Sequence, residues 1–358
     1  MCYKSGGEWE IEWVNSYGVQ AALGFYRYPP VGADDWRYTY QSAVIRVLEM
    51  QMLTSSLLQD LAEAADFATA VELLGQTEYG EIRAATNSDE MEQFLLLRRT
   101  LVRQLFSELM LDQDVVWLMR SRDDFANLRL AVRRFVTQQP IEVDYSEEGN
   151  IHHDLFEEVF EGENYDLLPD CMAEAVEQAV LRYYTGKDIR QVDYAIDSVE
   201  AGYKQRRARE LGSIFLGNLF RIEIDLDNIR TMLRLKWAGS EQKNVFIEGG
   251  YLELERLLAG LDMGYESLAN VFFATPYYRI LEDGVGYLTS EKSFLKLESL
   301  CEEYFTGFLK STSQITAGPQ PIIAYLLAKE NEIRKVRMIL TAKKNQLDKK
   351  LILDRLGG

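Results

Sequence analysis

A ten-residue string occurs twice in this chain, 101 residues apart. It reads Asp124-Phe125-Ala126-Asn127-Leu128-Arg129-Leu130-Ala131-Val132-Arg133, then Asp225-Leu226-Asp227-Asn228-Ile229-Arg230-Thr231-Met232-Leu233-Arg234. A weaker copy follows 104 residues further on, Lys329-Glu330-Asn331-Glu332-Ile333-Arg334-Lys335-Val336-Arg337-Met338. The shared core is a polar residue, an aliphatic one and then Arg. A second string runs alongside: Leu74-x-x-Thr77-x-Tyr79-x-x-Ile82 resembles Phe273-x-Thr275-x-Tyr277-x-x-Ile280, with Val159-Phe160, Tyr165 and Leu168 as a degenerate middle copy. Two string types recurring in one order mark three homologous units. We place them at 38–139, 140–240 and 241–358, behind an aromatic-rich extension, 1–37, to which the sequence assigns no role. The acidic stretch 140–170 spans the first joint and Ala238–Lys243 marks the second. Units that each pack on the next in one way can close into a pseudo-threefold body with a central opening. Linear stacking, as in solenoids, is the other solution.

The units read as helical. Of the 358 residues only seven are proline, which leaves 31–139 and 170–275 free of it. Ile45, Leu48, Met52 and Leu53 form one stripe at helical spacing; Phe94, Leu97, Leu101, Leu105 and Leu109 form another. Asp66 precedes Phe67, Ala70, Val71 and Leu74 as an N-cap precedes a short amphipathic helix. Ile322 to Leu356 is helical for most of its length. Period-two alternation is nearly absent, Glu10–Val14 being the best strand candidate. The fold class is all-α, with room for a minor hairpin in the first 37 residues.

Composition narrows the functions. The net charge is −18, from 57 acidic and 39 basic residues, and so negative a surface repels a phosphate backbone. Nucleic acid is excluded as a partner of the whole protein. Charge is also unevenly spread. Residues 329–358 hold nine Lys/Arg against four Asp/Glu, whereas 140–170 hold eleven Asp/Glu and no Lys or Arg. Such polarity suits docking on a charged protein. Cys2, Cys171 and Cys301 lie too far apart for a CxxC pair and do not form a disulfide framework, which points to a reducing compartment. The opening MCYKSGGEWEIEW is not that of a signal peptide. The longest uncharged stretch, Ser311–Ala328, is too polar to span a bilayer.

No constellation of catalytic residues emerges. His152 and His153, the only histidines, are adjacent, and neighbouring helical side chains diverge by about 100°. With no HExxH, they read as a solvated loop pair rather than as metal ligands. Glu282-Asp283-Gly284-Val285-Gly286 lacks the third glycine of a phosphate loop and reads as a loop turn. GxxxxGK[ST] and GxSxG are both missing. Lys204, Arg206, Arg207 and Arg209 read as a solvated helix face paired with Glu200 and Glu210, a docking patch being the alternative. Arg129, Arg230 and Arg334 recur at equivalent points. Either each satisfies helix-end carbonyls or a repeated carboxylate, or they line the shared opening with Asn127 and Asn228, as interface residues.

Taken in order, these motifs resemble one family, the C subunits of bacterial and archaeal V/A-type rotary ATPases, which are similar to the d subunit of the eukaryotic vacuolar enzyme. The resemblance rests on Tyr38-x-Tyr40, Arg46-x-Leu48-Glu49, Thr77-Glu78-Tyr79-Gly80, the two Asn-aliphatic-Arg strings, Ile247-x-Gly249-Gly250 and Thr275-Pro276-Tyr277. It culminates in Ala324-Tyr325-Leu326-x-Ala328-Lys329-Glu330-x-Glu332-Ile333-x-x-Val336-Arg337-x-Ile339-Leu340. It covers about 38–350; residues 1–37 are unlike the family's short start. The resemblance implies a funnel of three helical domains on the cytoplasmic mouth of the membrane proteolipid ring. That funnel receives the foot of the rotor axle (the D subunit), which carries the F subunit. It further implies a monomeric, non-catalytic adaptor with no nucleotide, metal or other cofactor, peripheral to the membrane. A free-standing helical scaffold and a helical enzyme working through dispersed carboxylates are the competing readings.

Overall fold

A computed structural model describes residues 28–85, 88–139, 141, 143–240 and 242–357. The strand candidate Glu10–Val14 and the rest of 1–27 lie outside them. The described residues form α-helices joined by short 3₁₀ turns, with no strand among them. Three long helices organise the rest: α5 (Gln113–Thr137), α9 (Ile214–Ala238) and α14 (Pro319–Lys344). The recurring strings lie mid-way along them. Leu128 and Ile229 are fully buried and Ile333 nearly so, which is where an apolar residue at each repeat position must go for the units to pack.

Around these run shorter helices. Before α5 come α1 (Thr39–Glu49), α2 (Ser55–Glu63), α3 (Phe67–Leu74) and α4 (Ser88–Leu109). Between α5 and α9 lie α6 (His153–Gly162), α7 (Asp170–Gly186) and α8 (Arg190–Glu210). After α9 follow α10 (Leu254–Asp262), α11 (Tyr265–Val271), α12 (Tyr278–Glu291) and α13 (Leu295–Lys310), and α15 (Lys349–Leu356) closes the chain. The distal half of α5 and helices α6–α8 share one apolar core, built from residues such as Phe125, Phe156 and Ile196. A larger core joins α1–α4 and the start of α5 to α9–α15.

Local signals act as their chemistry dictates. Asp66 caps α3, its Oδ1 accepting from the Thr69 N–H at 2.8 Å. Ser213 caps α9 through the Leu216 N–H. Pro319 starts α14, where its missing N–H costs nothing. Two sequence readings need correction. The stripe Phe94/Leu97/Leu101/Leu105/Leu109 is helical, and Phe94, Leu105 and Leu109 pack on the core with Met91, Leu95, Val102 and Phe106, but Leu97 and Leu101 are exposed. Both faces of α4 are apolar, so periodicity could not choose between them. The Gly284-Val285-Gly286 segment is no loop: it lies inside α12. A Cβ on Gly284 would lie 3.0 Å from a Leu297 methyl, so this glycine lets α12 and α13 approach closely.

Candidate functional site

The recurring Asp and Asn hold long connections onto the long helices. Asn127 Oδ1 accepts from the Ser146 N–H and its Nδ2 donates to the Ser146 carbonyl, both at 2.8 Å. Asn228 does the same with Ile247, again at 2.8 Å both ways and again 19 residues downstream. Asp124 accepts from the backbone N–H groups of Asn150 and Ile151, at 2.7 and 2.9 Å. Asp225 accepts from those of Tyr251 and Leu252, both at 3.0 Å. The spacings, 26 and 27 residues, are identical. Gly149 and Gly250, each 25 residues beyond its Asp, complete the pattern: a Cβ there would come within 2.2 and 2.0 Å of the carboxylate. Backbone groups of an otherwise unpaired connection are thereby satisfied by two side chains of the helix it crosses.

The third copy changes its chemistry. Glu332, at the Asn position, accepts from the Leu53 N–H at 2.6 Å and from the Tyr79 hydroxyl at 2.8 Å. Tyr277 donates to Asp225 at 2.7 Å in the same manner. Thr77 and Thr275 shape the two tyrosine turns alike, each hydroxyl donating to the carbonyl three residues back at 2.7 Å. Lys329, at the Asp position, is buried and ion-paired with Glu332 and Glu78. The partners of α14 thus come from the beginning of the chain; Lys343 adds a bond to the Ala64 carbonyl at 2.6 Å.

Of the recurring arginines, two are tied. Arg129 pairs with Asp197 and approaches Asp193 and Glu200, at 3.6 and 3.8 Å. Arg230 pairs with Glu298 at 2.9 Å and with Asp227 at 2.8 Å. Asp197 and Glu298 each lie 68 residues beyond their Arg. Arg133 and Arg234, four residues on, brace the same groups through Asp193 and Glu298. Arg334 is exposed and has no ion-pair partner among the described residues.

Between α8 and α9 these charges border a cleft of about 280 Å³ that takes in Asp197, Glu200, Lys204, Glu223, Asp227 and Arg230. Water reaches Asp197 and Asp227, whose side chains are 41% and 57% exposed, although protein surrounds them on most sides. That combination belongs to a concave wall. Burial pushes the Asp197 carboxyl up to about 6, opposed by Arg129, and raises Glu223 and Asp227 as well. Burial pulls the Lys204 ammonium down, but Glu200 and Glu223 outweigh it and hold it above its ordinary value. The expected pairs are present, Lys204 with Glu200 at 2.7 Å and Arg207 with Glu210 at 2.6 Å, but the face is not solvated throughout: Lys204 and Glu200 are largely buried in this cleft, where α9 packs over them. A second cleft, about 370 Å³, lies between α4, α5 and α14, where Glu330 joins Arg103 and Arg122 at 2.5 and 2.8 Å.

His152 and His153 sit at the start of α6, not in a free loop. Because His152 precedes the helix, the two rings do not diverge: they stack 4.6 Å apart and both face the Asp154 carboxylate. Sequence reasoning missed Gly149 and Gly250 as paired features, although their equal distance from Asp124 and Asp225 is visible in the sequence.

Fold and site define a repeat-built helical protein whose charged groups are largely spent on one another. A family model described as ATP synthase (C/AC39) subunit matches residues 41–355, and the chain belongs to that family, the C subunits of V/A-type ATP synthases. It is 22% identical over 324 residues to the C subunit of the V-type sodium ATPase of Enterococcus hirae, covering 89% of this chain and 98% of that protein. It is 24% identical over 324 residues to the C subunit of the V-type ATP synthase of Thermus thermophilus, covering 87% and 94%. It is 23% identical over 347 residues to the C subunit of the A-type ATP synthase of Thermococcus kodakarensis, covering 90% and 92%. As a member of this family it is one component of a larger complex. No helix among the described residues is long and apolar enough to cross a membrane.

Proposed function

We propose that the chain is the non-catalytic central-stalk adaptor of a V/A-type ATPase, joining the axle (the D subunit, with F) to the membrane proteolipid ring on its cytoplasmic face. One observation carries this reading: α5 and α9 hold their connections with the same bonds at the same spacings, and α14 finds its equivalents at the other end of the chain. A chain whose last long helix is completed by its own beginning favours three like units closed around an opening over an open-ended stack. On this reading the units are best counted from the long helices: α5–α8, α9–α13, and α14 with α2–α4. The tied arginines Arg129 and Arg230 then stiffen the wall, and Arg334, free of such a tie, is the one available to a partner.

A rigid wall suits a part that passes torque. Ion pairs and clamps in each unit resist rotation of a helix about its axis, and exposed charges steer a partner into register. Affinity itself would come from shape fit at a buried centre. The test is co-purification from a reconstituted complex. The wild-type chain retains both the axle and the ring, and hydrolyses no nucleotide alone. Retention of neither partner, or nucleotide hydrolysis abolished by a point change in this chain, overturns the adaptor reading.

A further inference from the structure

The two histidines of this chain share one carboxylate. His152 Nδ1 lies 3.3 Å from Asp154 Oδ2, and His153 Nδ1 lies 3.0 Å from Asp154 Oδ1. One donor atom from each of the three residues lies within 4.8 Å of the others. Divergence of helical neighbours, the sequence argument against a metal here, does not apply. His152 is extended (φ −62°, ψ 135°) and only His153 enters α6, which is why the rings stack. A four-coordinate ion with bonds of about 2.1 Å holds its ligands about 3.4 Å apart. The two His–Asp distances are already close to that.

We propose that His152, His153 and Asp154 bind one divalent transition-metal ion, of which zinc is representative, through the two Nδ1 atoms and the carboxylate. Imidazole nitrogen favours zinc, copper and nickel over magnesium and calcium. Three protein donors leave a fourth position to water or to a side chain of another protein. The proton of each ring then sits on Nε2. On His153 that nitrogen faces Glu147, 4.0 Å from its Oε1, the place of the carboxylate that commonly orients a metal-bound histidine. The positive end of the α6 dipole opposes a cation. Against it, residues 140–170 carry eleven Asp/Glu and no Lys or Arg, a field that attracts one.

Two observations set the cluster apart from an incidental surface contact. Its surroundings are fixed: Tyr145 stacks on His153 at 6.4 Å and on Phe156 at 6.0 Å, and the Arg134 guanidinium covers the tyrosine ring at 4.7 Å. The clamps of Asn127 and Asp124 pin Ser146, Asn150 and Ile151, between that tyrosine and the histidines. The fold, moreover, does not need histidine there. Counted from Asp225, the same positions of the next unit are Glu253, Leu254 and Glu255, and α10 starts at Leu254 as α6 starts at His153. Glu253 has the same extended backbone as His152 (φ −70°, ψ 141°), and neither side chain caps its helix. A histidine pair that the helix start does not require is free to hold a ligand.

Histidine-selective nitrogen labelling tests this directly, because it leaves two imidazoles to follow in the full, tag-free chain. Zinc is added in the presence of excess magnesium and the ring nitrogens are read by NMR. The proposal expects both Nδ1 resonances to shift and to saturate together at one equivalent of zinc, with magnesium alone moving neither. By calorimetry, His152→Ala and His153→Ala should each weaken zinc binding more than about tenfold, the loss that even an outer-shell change can cause. The exposed His152 can be removed without touching the packing of Tyr145. Glu253→Ala, at the matching start of α10, should leave zinc binding unchanged. No shift at one equivalent, a shift of one ring only, or a shift at Nε2 in place of Nδ1 overturns the proposal. So does binding that survives both alanine variants, which would put the zinc on the surrounding carboxylates.

Discussion

Helices α9 and α14 do the same job with opposite chemistry. On α9, Asp225 and Asn228 grip a connection that follows the helix, through an amide and a single carboxylate. On α14, Glu332 grips backbone and tyrosine from the start of the chain, and Lys329 lies buried between Glu332 and Glu78. An amide clamp is neutral and can be lost at the cost of its hydrogen bonds. An ionic clamp that loses Glu332 leaves the buried Lys329 ammonium only partly neutralised, by Glu78. The place where residues 53–79 meet α14 is thus held by the less forgiving of the two devices.

The contrast is broken or upheld by two truncations. Glu332→Ala leaves the Lys329 ammonium buried with one carboxylate fewer, and we expect a loss of about 3–5 kcal/mol. Asn228→Ala leaves the Ile247 backbone pair unmet, at about 1–3 kcal/mol. Urea denaturation of both variants decides it; an Asn228→Ala loss as large as that of Glu332→Ala would make the two clamps energetically alike.

The buried carboxylate sharpens the comparison through pH. Asp225 is fully buried, and burial pushes its carboxyl up to about 6, opposed by the Leu252 N–H and the Tyr277 hydroxyl. Its folded value lies above its unfolded one, so the stability it contributes is present below about pH 4 and is lost as pH rises through 6. Through this group the wild type loses on the order of 3 kcal/mol between pH 4 and pH 7. Asp225→Asn loses none of that share, so the stability gap between the two proteins should narrow across the window. Asp124, also raised by burial, should give the same sign. A gap that stays constant with pH would show that Asp225 does not titrate differently in the folded chain.

The same clamps show how much was legible from sequence. Helices, repeats and the N-cap at Asp66 came from periodicity and residue type, which local physics fixes. The function of Asn127 and Asn228 did not. Their partners are backbone groups 19 residues away, and backbone carries no sequence signal. Gly149 and Gly250 could have betrayed the clamps, because only their equal distance from Asp124 and Asp225 explains them. Predicted as a loop, Gly284 instead permits close packing of two helices; glycine alone does not separate those uses. The third copy was weakest in sequence because Lys329 and Glu332 replace Asp and Asn, and because α14 finds its partners almost a chain length away. Alanine at Gly149 or Gly250 tests the shared geometry, each Cβ colliding with a carboxylate. We expect about 1–3 kcal/mol at both positions, read as lowered melting temperatures; a cost at one alone would mean that the two clamps are not equivalent.

The smallest effect separates the arginines. Arg230 is held by Asp227 and Glu298, and both carboxylates remain in the wall when it is removed. Arg230→Ala should therefore cost about 1 kcal/mol, at the upper end for a partly exposed pair. Arg334 is exposed and has no such tie among the described residues. Arg334→Ala should stay within about 0.5 kcal/mol of wild type, as surface substitutions do. Because it leaves the fold intact, Arg334→Glu is the cleaner probe of a partner than any change that includes Arg129 or Arg230. If Arg334 faces the axle, the reversed charge folds normally and retains less of the axle protein in pull-downs, most visibly at low salt where exposed charges act over longer range. A normally folded Arg334→Glu that holds the axle at wild-type strength at low salt removes Arg334 from the interface.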